Sequence, residues 1–188
     1  MSKILKVKAR QVFDSRGNPT VEAEVYTNNN SATAICPSGA STGTYEAFEK
    51  RDKNNKRYLG KSVLSAVNLV NTKISNKLKG QSVHNQERID TLLINLDGTR
   101  QKTNLGANAM LAVSMAAKKL SAKVKKLPLY KTFFIKKNFQ LPYPLMNIIN
   151  GGAHANNGLR IQEFMIRPDR ARSFSEAMRI CFIVIKNL

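Results

Sequence analysis

The chain has 188 residues and a hydrophobic content of 42%, enough for one good core, or for one domain and part of another. No uninterrupted apolar run is long enough to span a bilayer, and the opening Met1-Ser2-Lys3-Ile4-Leu5-Lys6 has no apolar stretch of signal-peptide length. The two cysteines, Cys36 and Cys181, are too few and too far apart for a disulfide framework or a metal knuckle; they fit a reducing cytoplasm.

The formal net charge is +19, from 31 Lys+Arg against 12 Asp+Glu, a balance that by itself suggests a polyanion partner. The cations are scattered, as in Lys53-Asn54-Asn55-Lys56-Arg57, and not gathered on one element between aromatic residues. Compositional drift accounts for this better than a specific nucleic-acid site. Weak, salt-sensitive association with RNA or DNA is still expected from the charge.

Residues 3–36 alternate like strands. Leu5, Val7 and Ala9 are expected on one face, with Lys6, Lys8 and Arg10 on the other. Val21, Ala23 and Val25 alternate with Glu22, Glu24 and Tyr26; Asn28-Asn29-Asn30 signals a turn, and residues 31–36 form a third strand. The expected result is a three-stranded antiparallel meander. The small, polar residues 37–45, with Gly39 and Gly43, form a loop.

Helices follow. Val63, Val67, Val70, Ile74 and Leu78 recur at helical spacing, with Gly80 placed as a C-terminal cap. Ile89, Leu92, Leu93 and Leu96 make a shorter stripe closed by Asp97-Gly98. A third helix runs from Ala107 to about Lys126, where Lys123, Lys125 and Lys126 suit its negative end and Pro128 stops it. Strands followed by helices indicate an α+β domain over residues 1–130. Residues 131–141 read as a linker. Residues 143–149 and 161–166 read as short, buried apolar strands. The helix over 173–188 has Ser173 and Glu176 as a capping box, with Phe174, Met178, Cys181, Phe182 and Ile185 on one side. Strand, strand and helix over 142–188 are too little to close a sheet and leave open edges and an uncovered face.

Four segments could carry chemistry, and each has a plainer reading. Asp14-Ser15-Arg16-Gly17-Asn18-Pro19 is a turn between strands; Arg16 and Glu22 are also suited to pairing with another subunit. Pro37-Ser38-Gly39-Ala40-Ser41-Thr42-Gly43 is a linker by composition, yet a Gly-flanked Ser/Thr loop can also close over a phosphorylated ligand. It lacks the Gly-Lys-Ser/Thr ending of a Walker A loop. His154 follows Gly151-Gly152, which permit close backbone approach to a ligand. Glu163, within the apolar Ile161-Gln162-Glu163-Phe164-Met165-Ile166, is costly to bury unless it is paired or poised for chemistry, or it simply faces outward. His84 has no such context.

Taken in order, Asp14–Glu22, Pro37–Gly43, Asn147-Ile148-Ile149-Asn150-Gly151-Gly152-Ala153-His154 and Gln162–Ile166 resemble the N-terminal part of the enolases (phosphopyruvate hydratases). Tyr58-Leu59-Gly60-Lys61, Leu96-Asp97-Gly98-Thr99, Leu105–Ala109 and Pro128-Leu129-Tyr130 extend the resemblance over essentially the whole chain. It implies the α+β domain followed by the first strands and helix of an incomplete TIM-like β/α barrel. It implies a cytoplasmic, Mg²⁺-dependent carbon–oxygen lyase that dehydrates 2-phosphoglycerate to phosphoenolpyruvate in glycolysis, working as a homodimer. Ser41 would supply oxygen to Mg²⁺; Glu163 and His154 would act in catalysis; Gln162, His154 and Glu163 would meet substrate; Arg16 and Glu22 would lie near the dimer interface. Two departures stand out: Lys53-Asn54 replace the usual Gly-Asp after Arg51-Asp52, and Asn156 stands where bacterial relatives often carry aspartate.

In the family pattern the base lysine, the main magnesium carboxylates and the proton-donating glutamate all come later than residue 188. The 188 residues are therefore expected to be a truncated family member, inactive alone. The alternatives are a non-catalytic interaction or dimerisation fragment, half of a split enzyme and, behind these, a basic nucleic-acid-binding protein.

Overall fold

The structure, a computed structural model, describes residues 2–39, 43–54, 56–133 and 139–188. They fall into two compact units, Met1–Ile135 and Lys136–Leu188.

In the first unit β1 (Lys6–Phe13), β2 (Pro19–Tyr26) and β3 (Ser31–Cys36) form the expected antiparallel meander, in the order β1-β2-β3. Val7 stands opposite Val25, Ala9 opposite Ala23, and Ala23 opposite Ala34, so one face is apolar. The first hairpin turns on Asp14, whose carboxylate accepts from the backbone N–H of Arg16 and of Asn18, both at 2.9 Å, while Gly17 takes φ +74°. The alternation breaks before Lys6: Ile4 is fully buried and Leu5 is 45% exposed, contrary to the expected Leu5–Val7–Ala9 face. Ile4 instead pairs outside the sheet, donating to Gln81 O (2.9 Å) and accepting from Gly80 N (2.8 Å).

The next helical stretch is not one regular helix. Helix α1 (Leu64–Leu69) passes through a π turn (Val70–Ile74) into α2 (Ser75–Leu78). Its apolar stripe, Val70, Ile74 and Leu78, is buried as the spacing predicts. The side chain of Asn71 pairs with both backbone groups of Ala9 (2.7 and 3.0 Å), and Ser75 Oγ accepts from Val7 N (3.0 Å). These side chains satisfy the outer edge of β1, which would otherwise be open to pairing with another chain. Asp52, twelve residues upstream, caps α1 by accepting from Leu64 N (3.0 Å) and Ser65 N (2.9 Å). Gly80 (φ +82°) directs its N–H to Ile4 and does not close the helix.

Helix α3 (Gln86–Asp97) starts at Asn85, whose side chain accepts from Arg88 N, and ends at left-handed Gly98. Helix α4 (Ala107–Val124) lays Ala109, Ala112, Val113, Ala116, Ala117 and Leu120 into the core shared with the sheet. Lys119 and Lys123 reach back to the carbonyls of Thr33 (3.3 Å) and Ser31 (3.0 Å) on β3. The helix ends in a Schellman-type turn: Leu127 N donates to Ala122 O, with Lys126 at φ +54°.

In the second unit β4 (Met146–Asn150) and β5 (Glu163–Ile166) pair antiparallel, with a register shift between Asn147 and Ile149, and α5 (Phe174–Asn187) follows. Both strands are shorter than the apolar runs suggest. They are not buried either: Tyr143, Leu145, Ile149, Ile161, Phe164 and Met165 are all exposed. Ser173 caps α5 through Glu176 N (3.1 Å), but Glu176 returns its bond to Arg172 N (2.8 Å). Of the five residues expected on one side of α5, only Cys181 is buried; Phe182 is 61% exposed.

Candidate active site

The chain reverses between β4 and β5 through Gly151, Gly152 and a short 3-10 turn, Gly152–His154. Gly151 N donates to Gln162 O (2.9 Å) and Gly152 N to Leu159 O (2.8 Å). A Cβ at Gly151 would collide with Ile161 O and lie 2.7 Å from Leu159 Cβ, so only glycine fits; Gly152 takes φ +54°. Gly151 thus lies in close approach to the chain's own Leu159 and Ile161.

That approach sets three predicted residues side by side. His154 Nδ1 lies 2.8 Å from Glu163 Oε1, and His154 Nε2 lies 2.6 Å from Gln162 Nε2. The His154 and Glu163 side chains are about three-quarters buried. With both ring nitrogens engaged, the neutral imidazole carries its proton on Nδ1, toward the carboxylate, and accepts the Gln162 amide on Nε2. Glu163 is thus neither an unpaired buried charge nor a free outward-facing carboxylate. Asn156 is exposed beside this loop.

Ser41 lies outside the described residues. The flanks of its loop are tied down. Arg16 Nη2 donates to Ser38 O (2.6 Å) and Gly39 O (3.1 Å), and Gly43 N donates to Glu46 Oε1 (2.8 Å). Ser38 Oγ donates to Glu49 Oε1 (2.5 Å), and Arg51 Nη2 donates to both Ser38 Oγ and Glu49 Oε1, each at 2.9 Å. The other amino group of Arg51 donates to Pro19 O (3.2 Å) and to Lys61 O. No periodicity marks the Ser38–Glu49–Arg51 cluster; only the closely spaced opposite charges of Glu49 and Arg51 hinted at it. Glu22 accepts from Arg10 Nε (2.5 Å), so both interface candidates have partners within the chain.

His84, given no role, places Nδ1 3.0 Å from Ser121 Oγ; burial, then the nearby Lys125 charge, pulls its pKa below the ordinary histidine value. Among the described residues, no three His, Cys, Asp or Glu side chains converge to hold a metal ion, and no helix is long and apolar enough to cross a membrane.

Comparison with known proteins bears on the whole chain. The family model described as "Enolase, N-terminal domain" matches residues 4–133, and "Enolase, C-terminal TIM barrel domain" matches residues 138–188. The chain is 82% identical, over all 188 residues, to an enolase of Pelagibacter ubique, of which it covers 45%. It is 56% identical over 179 residues to an enolase of Methanococcus maripaludis and 54% identical over 178 residues to one of Methanosarcina mazei. Each of these matches takes in 95% of this chain and 42% of the relative. The chain thus spans under half the length of the curated relatives it matches.

Proposed function

This chain belongs to the enolase family, and we propose that it carries the histidine side of that family's active site, serving the dehydration of 2-phosphoglycerate to phosphoenolpyruvate in glycolysis. The observation that carries this reading is the clamp on His154, held between Glu163 at 2.8 Å and Gln162 at 2.6 Å.

The chemistry follows from the donors and acceptors. Glu163 fixes the ring and, when Nε2 takes up a proton, stands 2.8 Å from the imidazolium as its counter-charge. A protonated ring can then face an anionic, phosphorylated substrate. For that, Gln162 must give up its bond to Nε2, because a protonated Nε2 donates and does not accept. Gln162 is thereby freed to contact the substrate. Reading Glu163 and His154 as catalytic residues, and Gln162 as a substrate contact beside them, rests on this exchange of partners.

Mg²⁺ belongs to the proposal as the family's cofactor, with Ser41 as one oxygen ligand. The described residues do not fit a magnesium site of their own, since no cluster of carboxylates forms among them. The 188 residues need the remaining barrel strands, with their base and carboxylates, for turnover. The division into an α+β domain over 1–130, a linker over 131–141 and the opening of a barrel over 142–188 is part of the same reading. So are a cytoplasmic location and a homodimer with Arg16 and Glu22 near its interface.

The test is a chimera in which these 188 residues replace the matching segment of the Pelagibacter ubique enolase. Glu163→Gln in that background is expected to lower kcat by about 100-fold or more, the scale of a lost acid–base group. Unchanged kcat would overturn the assignment.

A further inference from the structure

The loop that presents His154 contains a side chain with no assigned role, Asn157. Its Nδ2 donates to Asn150 O at the end of β4 (2.9 Å), and its Oδ1 accepts from Leu159 N (3.1 Å). Its own N–H donates to Ala155 O (3.0 Å). A single side-chain amide thus closes residues 150–159 at both ends, using a donor and an acceptor at once. His154 and the chain leading to Gln162 lie within or directly after this closure.

The other bonds of the loop leave this task to Asn157. Gly151 N and Gly152 N tie the start of the loop to Gln162 O and Leu159 O, and His154 N returns to Gly151 O. These bonds tie the base of the loop, Gly151 and Gly152 against Gln162 and Leu159, and leave His154 at the head of the outer arc. The outer arc, residues 155–158, is exposed or half-buried. Asn157 is the link from that arc to the strand. Aspartate would keep the acceptor and lose the donor, and alanine would lose both.

We propose that Asn157 is the positioning residue for His154: by bridging Asn150 O and Leu159 N it holds the loop so that Nδ1 faces Glu163 and Nε2 faces Gln162. It acts through His154 and does not touch substrate. Its relevance to turnover rests on the proposed function; its effect on the ring does not.

The chain has two histidines, so ring-nitrogen NMR of the 188-residue chain resolves His154 once His84→Gln has removed the other signal. At a pH where the imidazole is neutral, the wild-type ring is expected as a single tautomer with the proton on Nδ1. Asn157→Ala should give a mixture of both tautomers. Asn157→Asp should fall between, and Asn156→Ala, the exposed neighbour, should leave the signal alone. Circular dichroism should stay constant throughout. If Asn157→Ala loses the fold of this unit, Asn157→Asp decides.

In the chimera, the same substitution should lower kcat about tenfold with KM within about twofold, the signature of a misplaced rather than deleted group. An unchanged tautomer signature in both Asn157 variants would overturn the inference. An inactive chimera whose His154 signature still responds to Asn157 would sink the proposed function and leave this inference standing.

Discussion

Glu163 Oε1 lies 2.8 Å from Nδ1 of His154, across a turn that only glycine at position 151 can make. The pair is a unit: each side chain gives the other its orientation. Groups that act as a unit lose their effect together. In the chimera, His154→Asn and Glu163→Gln should each lower kcat by about 100-fold or more, and the double variant should be no worse than the poorer single one. Rate losses that multiply would show two independent roles.

Gly151 should tolerate no substitution. Gly151→Ala places a methyl group against Ile161 O and Leu159. Opening the 151–162 contact should separate His154 from Glu163 and Gln162. The His154 ring signal should then become that of a free, solvated imidazole while the α4 core remains folded. A Gly151→Ala chain with a wild-type His154 signal would contradict the close approach.

Among the described residues three lysines occupy left-handed backbone positions, Lys53 at φ +55°, Lys102 at φ +60° and Lys126 at φ +54°. A side chain costs about 1–2 kcal/mol there. Lys53 stands where the family pattern has glycine, and Lys126 sits just past the end of α4, where helix-ending glycine belongs. Lys126→Gly and Lys53→Gly should each raise stability in urea unfolding by about 0.5–1 kcal/mol, less than the full strain because glycine also frees the unfolded chain. A fall in stability for both would refute the strain.

Asp52 and Asp97 make the first unit sensitive to acid. Asp97 is 2% exposed. Burial opposes the ionisation of both, and the hydrogen bonds they accept outweigh it. Those bonds come from Ser65, Ser62 and Leu64 to Asp52, and from Thr99 and Leu105 to Asp97, so both pKa values lie below the ordinary aspartate value. A depressed folded pKa gives stability that is present above the unfolded value of about 3.9 and is lost as pH falls through the folded one. Stability should therefore decline below about pH 4 and less steeply in Asp97→Asn. That variant should also cost about 1–3 kcal/mol at neutral pH, since an amide nitrogen cannot accept from Leu105 N. An identical acid limb in Asp97→Asn would remove Asp97 from this account.

The meander, the end of α4 before Pro128 and the Ser173 cap were legible because they are local: period-2 alternation, a helix breaker, a capping box. What escaped the sequence depends on side chains meeting backbone far along the chain. Asn71 and Ser75 fit a helical pattern, and nothing in that pattern says that they will satisfy the β1 edge from a π turn. Ile4, rather than Leu5, is buried because Gly80 and Gln81 capture its backbone. The apolar runs at 143–149 and 161–166 looked like buried strands because hydrophobicity reports what a segment can pack against; among the described residues those side chains remain exposed. His154, Gln162 and Glu163 were found through the motif. That the three touch is a consequence of the close approach at Gly151.

The most direct test is phosphoenolpyruvate formation from 2-phosphoglycerate with Mg²⁺, measured on the 188-residue chain alone and on the chimera with the Pelagibacter ubique enolase. No turnover is expected from the chain alone, and turnover from the chimera that Glu163→Gln lowers by about 100-fold or more. Turnover by the chain alone, or a folded chimera without activity, would contradict it.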